Sequence, residues 1–146
     1  MTFKTSENVA IVATIDPDAN TTGALSTDYI DMQKFESALA IVMAGIIVTS
    51  GTVDFKLQQA TSTTGGGLKD ITGLAITQLS TTSNDKQAAI NVHVSDLDTA
   101  GGFRYVKGVM TVTTAGADAA AIIIADNPRR GPANENDLAS VAEIIS

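Results

Sequence analysis

The chain has 146 residues, the length of one ordinary domain, and a formal net charge of −7 that disfavours binding to the phosphate backbone of nucleic acids. It contains no cysteine, which excludes disulfides, thiol nucleophiles and cysteine-based zinc sites. The longest apolar stretch, 38–48, is shorter than the roughly 20 residues that a membrane-spanning helix needs. Residues 1–7 lack the apolar core of a signal peptide. We therefore expect a soluble, non-secreted protein whose partners include neither nucleic acid nor membrane.

The first third of the chain contains apolar segments separated by turn-forming residues. Residues 9–15 are short and apolar, and residues 16–20, which include proline, asparagine and two aspartates, predict a turn. Residues 35–45 are rich in alanine, leucine and methionine and could form a buried helix by propensity. Because β-branched residues accumulate toward position 48, where a turn follows, we predict instead one strand over 35–48 that is apolar on both faces.

Three later segments alternate apolar with polar side chains, which is the pattern of a strand with one buried face. The residues predicted on those buried faces are Val53, Phe55 and Leu57; Ile90, Val92 and Val94; and Val106, Met110 and Val112. Residues 120–125 form a further short apolar strand. Clusters of turn-forming residues occur at 49–52, 63–67, 83–85 and 100–102. Strands and turns at these short intervals predict an all-β fold, either an antiparallel sandwich or a barrel. Of the two, we choose a jelly-roll-like antiparallel β-sandwich.

The C-terminal residues differ from the rest. Residues 128–132 carry two prolines and a glycine and stop any regular element, so we predict a sandwich domain over 1–127 and a separate segment over 128–146. Three apolar residues of that segment recur at helical spacing: Leu138, Val141 and Ile145. Asn134 or Asn136, which precede them, could serve as the N-cap of a helix. Two alternatives remain open, a short helix that closes the domain's own core and an arm that lies on a neighbouring subunit.

Residues that could carry catalysis are few. The single histidine, His93, alternates with apolar neighbours and is expected to face solvent, and no Gly-x-Ser-x-Gly motif occurs. The glycines at 65–67 precede Leu-Lys-Asp rather than the Gly-Lys-Ser/Thr that cradles a phosphate, so they indicate a flexible hairpin tip. Two aspartate pairs lack the pattern of a calcium loop and are expected to bond their own backbone: Asp16 with Asp18, and Asp96 with Asp98. We expect no enzyme activity, no metal and no cofactor.

The order of the segments resembles that of small virion proteins of tailed bacteriophages. The residues that carry the resemblance are the stretches 21–32, 35–45 and 51–58, followed by Asp-Leu-Asp at 96–98 and Phe-Arg-Tyr-Val-Lys at 103–107. The resemblance covers roughly residues 9–125. It implies a β-sandwich virion component, such as a capsid decoration (cement) protein or a small tail or connector subunit, with no catalytic residues.

Our first hypothesis is a decoration protein on the capsid surface of the virion, made in the host cytoplasm. It would bind the outer face of the assembled head, bridge major capsid protein subunits and form a dimer or trimer there. The residues expected to contact a partner are in the two termini and one turn: Thr2, Phe3, Lys4, Thr64, Gly65, Gly66, Leu138, Val141, Ile144 and Ile145.

Three alternatives stand beside that hypothesis. A tail or head–tail connector subunit would form closed rings in the free state. A carbohydrate-binding sandwich belongs to another class, and the absence of tryptophan argues against it because such modules rely on exposed aromatic platforms. An enzyme would need a site assembled around His93.

Overall fold

The computed structural model describes residues 4–145, so Thr2 and Phe3 of the predicted contact residues lie outside the described part. A four-residue helix, α1 (Thr5–Asn8), precedes the first strand. Nine strands follow in chain order: β1 (Val9–Asn20), β2 (Gly23–Ser26), β3 (Ile30–Asp31), β4 (Phe35–Ile47), β5 (Thr52–Ala60), β6 (Lys69–Ala75), β7 (Gln87–His93), β8 (Tyr105–Thr113) and β9 (Ala117–Pro128). Short 3₁₀ turns lie at Thr81–Ser83, Val94–Asp96 and Thr99–Gly101.

The strands form two antiparallel sheets that pack face to face. The four-stranded sheet has the order β1-β9-β4-β7, and the five-stranded sheet has the order β2-β8-β5-β6 with β3 also paired to β8. With β2 and β3 taken as one interrupted strand, this is the order of a jelly roll, in which the first strand pairs with the last. The predicted all-β sandwich is confirmed, and residues 35–47 form a strand rather than a helix.

The core lies between the sheets and is built from large side chains of one sheet against small ones of the other. The five-stranded sheet contributes Phe55, Leu57 and Met110, each at most 1% exposed. Opposite them, β4 and β9 contribute mainly alanines, including Ala40 and Ala121. Large residues against small ones let two sheets interdigitate at native packing density. The alternating faces predicted for β5 and β8 are confirmed, as is burial of Ile90 and Val92.

Strand β7 ends one residue earlier than its alternation predicts. Its last residue is His93, and Val94 begins a 3₁₀ turn, packed against the core and only partly buried. The cause is local capping: the Asp96 carboxylate accepts a hydrogen bond from the His93 backbone N–H at 2.8 Å. A side chain that satisfies the backbone in this way competes with continuation of the strand.

The turn predicted at 16–20 is not present, because β1 continues to Asn20. The pairing of β1 with β9 shifts register between Ile15 and Asp18, so the strand contains a bulge at Pro17. Proline has no N–H to donate, but β1 is an edge strand and a bulge leaves one residue unpaired. The prediction was wrong because turn-forming residues also suit an edge bulge.

The helix that was one of the two forms expected for the C-terminal residues is not present in the described residues 129–145. These residues contain one hydrogen-bonded turn, in which the Ser140 and Val141 N–H groups donate to the Asp137 carbonyl at 3.0 and 2.9 Å. The eight described residues after Asp137 are fewer than the roughly 12 that an isolated helix needs in water. The other form, an arm on a neighbouring subunit, stays a prediction.

Candidate functional site

The outer side of the four-stranded sheet carries aliphatic residues instead of a solvated surface. Along β4, Ala38, Ala40 and Val42 are buried in the core, so the residues between them point the other way. The same alternation applies to β9 on both sides of Ile123, which is fully buried. We call the resulting surface the aliphatic face; its residues are Ile11, Leu39, Ile41, Met43, Ile122 and Ile124.

The strand register makes this face continuous across three strands. Leu39 lies opposite Ile124 and Ile41 opposite Ile122 on β4 and β9, and Ile124 also lies opposite Ile11 on β1. Such cross-strand pairs contribute about 0.2–1 kcal/mol each and partly shield one another from water. The side chains are therefore half-buried by their neighbours, while Met43 at the margin is 41% exposed.

Polar residues surround the aliphatic face at one end. A depression of about 390 Å³ lies there, lined by apolar and polar side chains together: Val9, Leu39 and Ile124, with Ser37, Asn91, His93 and Asp126. An apolar centre with a polar rim is the usual anatomy of a protein–protein interface, and contiguous exposed apolar patches mark interaction sites.

The outer side of the five-stranded sheet is polar. On β5 the outward residues include Asp54, Lys56 and Gln58, and the Lys56 ammonium lies 2.9 Å from the Asp70 carboxylate. Gln58 also donates to Asp70, at 2.8 Å. The hydrogen bond from Gln58, followed by that from Lys56, lowers the pKa of the Asp70 carboxyl below its ordinary value. Side chains of this kind are satisfied by one another and by water, so this surface is a solvated one.

Residues 133–137 are anchored along α1 and the free edge of β1. The Ala133 N–H donates to the Glu7 carbonyl at 2.8 Å, and the Asp137 N–H donates to the Ile11 carbonyl at 2.7 Å. The Asn136 side-chain oxygen accepts the Ile11 N–H at 2.9 Å. The chain thereby covers an edge strand that would otherwise present unpaired backbone groups.

A surface ion pair adds to this anchor. The Lys34 ammonium contacts the Glu135 carboxylate at 2.6 Å, and both side chains are about half exposed. The hydrogen bond from Lys34 to Glu135 raises the pKa of Lys34 above its ordinary value. An exposed pair of this kind contributes at most about 1 kcal/mol, so the backbone hydrogen bonds carry most of the attachment.

Beyond this anchor, residues 138–145 leave the body of the protein; we call them the free arm. Leu138 is 80% exposed, Ile145 87% and Ile144 45%. Val141, in the single turn, is partly buried. Four of the predicted contact residues therefore lie on one exposed segment whose apolar side chains contribute little to the chain's own core.

The remaining predicted contact residues lie elsewhere. Lys4 is exposed beside α1, where its N–H donates to the Glu7 carboxylate at 2.7 Å. Thr64 is exposed at the tip between β5 and β6, but Gly65 and Gly66 are half-buried against the chain itself. Gly65 has a left-handed φ of 84°, and a Cβ there would lie 2.9 Å from the Tyr29 hydroxyl. The tip packs on its own domain and is not brought together with the free arm.

Sequence reasoning did not single out the aliphatic face as a site. Its signal was present in the apolar character of both faces of 35–48 and in the Ile122–Ile124 run, because a half-solvated strand alternates with polar residues. What the sequence did not contain was the information that one of those faces is left uncovered by the chain.

His93 has a local structural role in this arrangement. It is exposed, as predicted, and its Nδ1 accepts the Ser95 backbone N–H at 3.1 Å, which caps the following 3₁₀ turn. Its Nε2 lies 3.8 Å from the Glu36 carboxylate at the surface. Its Nδ1 also lies 2.8 Å from the Ser95 Oγ, so the amide and the hydroxyl of Ser95 share this nitrogen within the capped turn.

Three of the four aspartates in the two predicted pairs accept hydrogen bonds from the local backbone, as predicted. Asp96 accepts from the His93 N–H, Asp98 from the Gly101 N–H at 2.9 Å, and Asp18 from the Ala19 N–H at 2.7 Å. Asp98 also accepts from Lys69, and that hydrogen bond lowers the pKa of its carboxyl. Among residues 4–145, no three histidine, aspartate or glutamate side chains converge as a metal site would require.

Comparison with known proteins gives no relative from which a function could be transferred. No protein-family model matches the sequence, and no curated protein matches it significantly. In the part of the chain that the structure describes, no helix is both long and apolar enough to cross a membrane. Any functional proposal therefore depends on the surfaces described above.

Proposed function

We propose that this protein is a structural subunit of a tailed-phage virion, a decoration protein that binds the outer face of the assembled capsid. The major capsid protein would be its partner, and the capsid surface its location. A jelly-roll sandwich is a common scaffold of capsid proteins, although the fold is shared with lectins and cupins and does not define function by itself.

The observation that carries the proposal is the free arm. Leu138 and Ile145 expose most of their aliphatic surface, whereas the residues just before them are anchored to β1 by backbone hydrogen bonds. Burial of one such side chain stabilises a complex by about 1.5–3 kcal/mol. A firmly attached segment that ends in exposed apolar residues is suited to lie in a groove of a neighbouring subunit.

The proposed mechanism is linkage. A protein that binds the assembled lattice and not the dissociated subunits stabilises the lattice by mass action, by a free energy that grows with the logarithm of its free concentration relative to its dissociation constant. The net charge of −7 keeps the free protein soluble and away from packaged DNA.

Co-sedimentation tests the proposal directly. Purified protein is mixed with expanded undecorated capsids, with unexpanded procapsids and with isolated tails of the source phage. We expect saturable binding to expanded capsids alone. Binding to tails, or rings of the free protein without capsid binding, would overturn the decoration hypothesis in favour of a tail or connector subunit.

A matched pair of variants tests the role of the arm. Leu138→Ser combined with Ile145→Ser removes two exposed aliphatic side chains and should weaken capsid binding at least about tenfold. Leu25→Ser, a change of a 38% exposed leucine on β2, is the control and should leave binding unchanged. Equal binding by all three proteins would exclude the arm as the contact.

A further inference from the structure

We propose that the aliphatic face binds a second copy of this chain, so that the outer sides of two four-stranded sheets stack on each other around a two-fold axis. This inference concerns the free protein and does not depend on the proposed function. It assigns the sheet to self-association and leaves the free arm for a different partner.

Charge is the first argument for a second copy. The net charge of −7 makes two copies repel each other wherever acidic surfaces meet. The six residues of the aliphatic face are uncharged, and so are the outward residues paired with them, Thr14, Ala89, Asn91 and Ala120. The acidic Asp118 and Asp126 lie on the same side near the two ends of β9. Two copies can therefore approach through the centre of this face without burying a charge, which would cost several kcal/mol, while the two aspartates stay at the rim.

Area is the second argument. The strands of this sheet contain 12, 12, 13 and 7 residues. At about 3.4 Å per residue and about 4.8 Å between strands, they give the whole outer side, including Asp118 and Asp126 near the ends of β9, a projected area of about 700 Å². A standard stable interface buries about 800 Å² on each partner, so a dimer of this kind uses the aliphatic face as its centre and the polar ends of the same side as its rim.

Shape is the third argument. A two-fold interface must be complementary to itself, because the same patch lies on both sides. A sheet face of paired aliphatic residues meets this requirement, since two sheets pack face to face about 10 Å apart with their strands about 30° from parallel. Ile41 and Ile122 pair with each other near the middle of the face and would lie closest to the axis.

The pattern of the strands agrees with this assignment. Strands that are apolar on both sides are typical of sheets covered on both sides. In this chain the inner side of β4 and β9 is covered by the five-stranded sheet, and the free arm leaves Leu138 and Ile145 in solvent rather than on the aliphatic face. A second copy supplies the missing cover.

Sedimentation equilibrium and light scattering on the full chain test the proposal. We expect a concentration-dependent dimer of the 15.0 kDa chain. Ile41→Lys places a charge at the centre of the face and should raise the dimer dissociation constant at least about 100-fold. Thr111→Lys adds the same charge on the outer side of β8 in the other sheet and should leave the dimer unchanged.

A cross-linking experiment separates this interface from others. Because the chain has no cysteine, Ile41→Cys and Thr111→Cys each introduce a single thiol. A bis-maleimide of about 10 Å, the spacing of stacked sheets, should join two Ile41→Cys chains and not two Thr111→Cys chains. A strictly monomeric wild type would overturn the proposal. So would a dimer that survives Ile41→Lys, or one that is lost only when Leu138 and Ile145 are changed to serine.

Discussion

The two outer faces of this sandwich differ although both sheets are antiparallel and share one core. The five-stranded sheet alternates in the ordinary way, with Val53, Phe55 and Leu57 inside and Asp54 and Lys56 outside. The four-stranded sheet is apolar on both sides along β4 and β9. A sheet needs one apolar face to build a core, so the second apolar face has a different purpose. The difference means that the chain itself covers the apolar side of the five-stranded sheet but leaves a second apolar side of the four-stranded sheet uncovered, which is the basis of our proposal of a partner there.

The sharpest way to separate the two sides of β9 is to change neighbouring isoleucines. Ile123 is fully buried between the sheets, whereas Ile122 lies on the aliphatic face. Ile123→Ala should lower the free energy of unfolding by about 2–5 kcal/mol, because it leaves a cavity in the core. Ile122→Ala should cost the monomer no more than about 1 kcal/mol. The substitution removes only cross-strand contacts on a half-buried surface and leaves no cavity in the core. Urea unfolding at low protein concentration measures both, and equal costs would contradict the assignment of the two sides.

A glycine in each sheet gives the next largest contrast. A Cβ at Gly108 on β8 would lie 2.5 Å from the Phe55 ring, so Gly108→Ala should displace that ring and cost about 1–3 kcal/mol. A Cβ at Gly45 on β4 would meet the Asp118 Cβ at 3.2 Å and its carbonyl oxygen at 3.6 Å, and Asp118 is exposed and can shift. Gly45→Ala should therefore cost less than Gly108→Ala, no more than about 1 kcal/mol. Thermal unfolding of both variants checks this, and a harmless Gly108→Ala would show that the Phe55 ring is loosely held.

Concentration dependence of the melting temperature reports on the aliphatic face alone. If two copies associate through it, the melting temperature of the wild type should rise by several degrees between micromolar and hundred-micromolar protein. Ile41→Lys should abolish that rise, and Thr111→Lys on the polar face should preserve it. Calorimetric scans of the three proteins at both concentrations make the comparison, and a rise that is identical in all three would place the interface elsewhere.

The smallest expected effect is electrostatic and belongs to the polar face. The pKa of Asp70 is lowered in the folded state by Gln58 first and Lys56 second, so its contribution to stability is present above the unfolded value of 3.8 and is lost as the pH falls through the folded pKa. Gln58→Leu should raise the Asp70 pKa more than Lys56→Met does. Because these side chains are largely exposed, each change should cost less than about 1 kcal/mol. NMR titration of the Asp70 carboxyl in the two variants measures which substitution raises its pKa more. A larger rise in Lys56→Met would make the ion pair with Lys56 the dominant contact.

Local pattern was sufficient to predict most of the sandwich. Alternation identified the inward residues of β5, β7 and β8, and β-branched residues near position 48 correctly favoured a strand over a helix for β4. Pattern failed at 16–20, where proline and aspartates indicated a turn. Whether such residues end a strand or bulge within it depends on whether the strand lies at a sheet edge, and edge position is a property of the assembled sheet.

The C-terminal part of the candidate site was likewise only partly predictable from the sequence. The apolar residues of the C-terminal segment were visible in the sequence, but their spacing was compatible with both a helix and an arm. Hydrogen bonds from Ala133 to α1 and from Asp137 to the β1 edge hold the start of the segment, and those contacts join residues more than 120 positions apart. The eight described residues that follow are fewer than the roughly 12 that an isolated helix needs in water, so the single turn is not continued.

By itself, the sequence of this protein determined six of the nine described strands, the buried side of the alternating ones and the presence of apolar residues in excess of one core. These properties follow from side-chain chemistry at a period of two residues. Only the tertiary structure decided which apolar face is covered, because that depends on which strands pair and which sheet lies opposite. It left Leu39, Ile41, Ile122 and Ile124 on the open side of a sheet, and there they define the surface at which a second molecule can complete the packing.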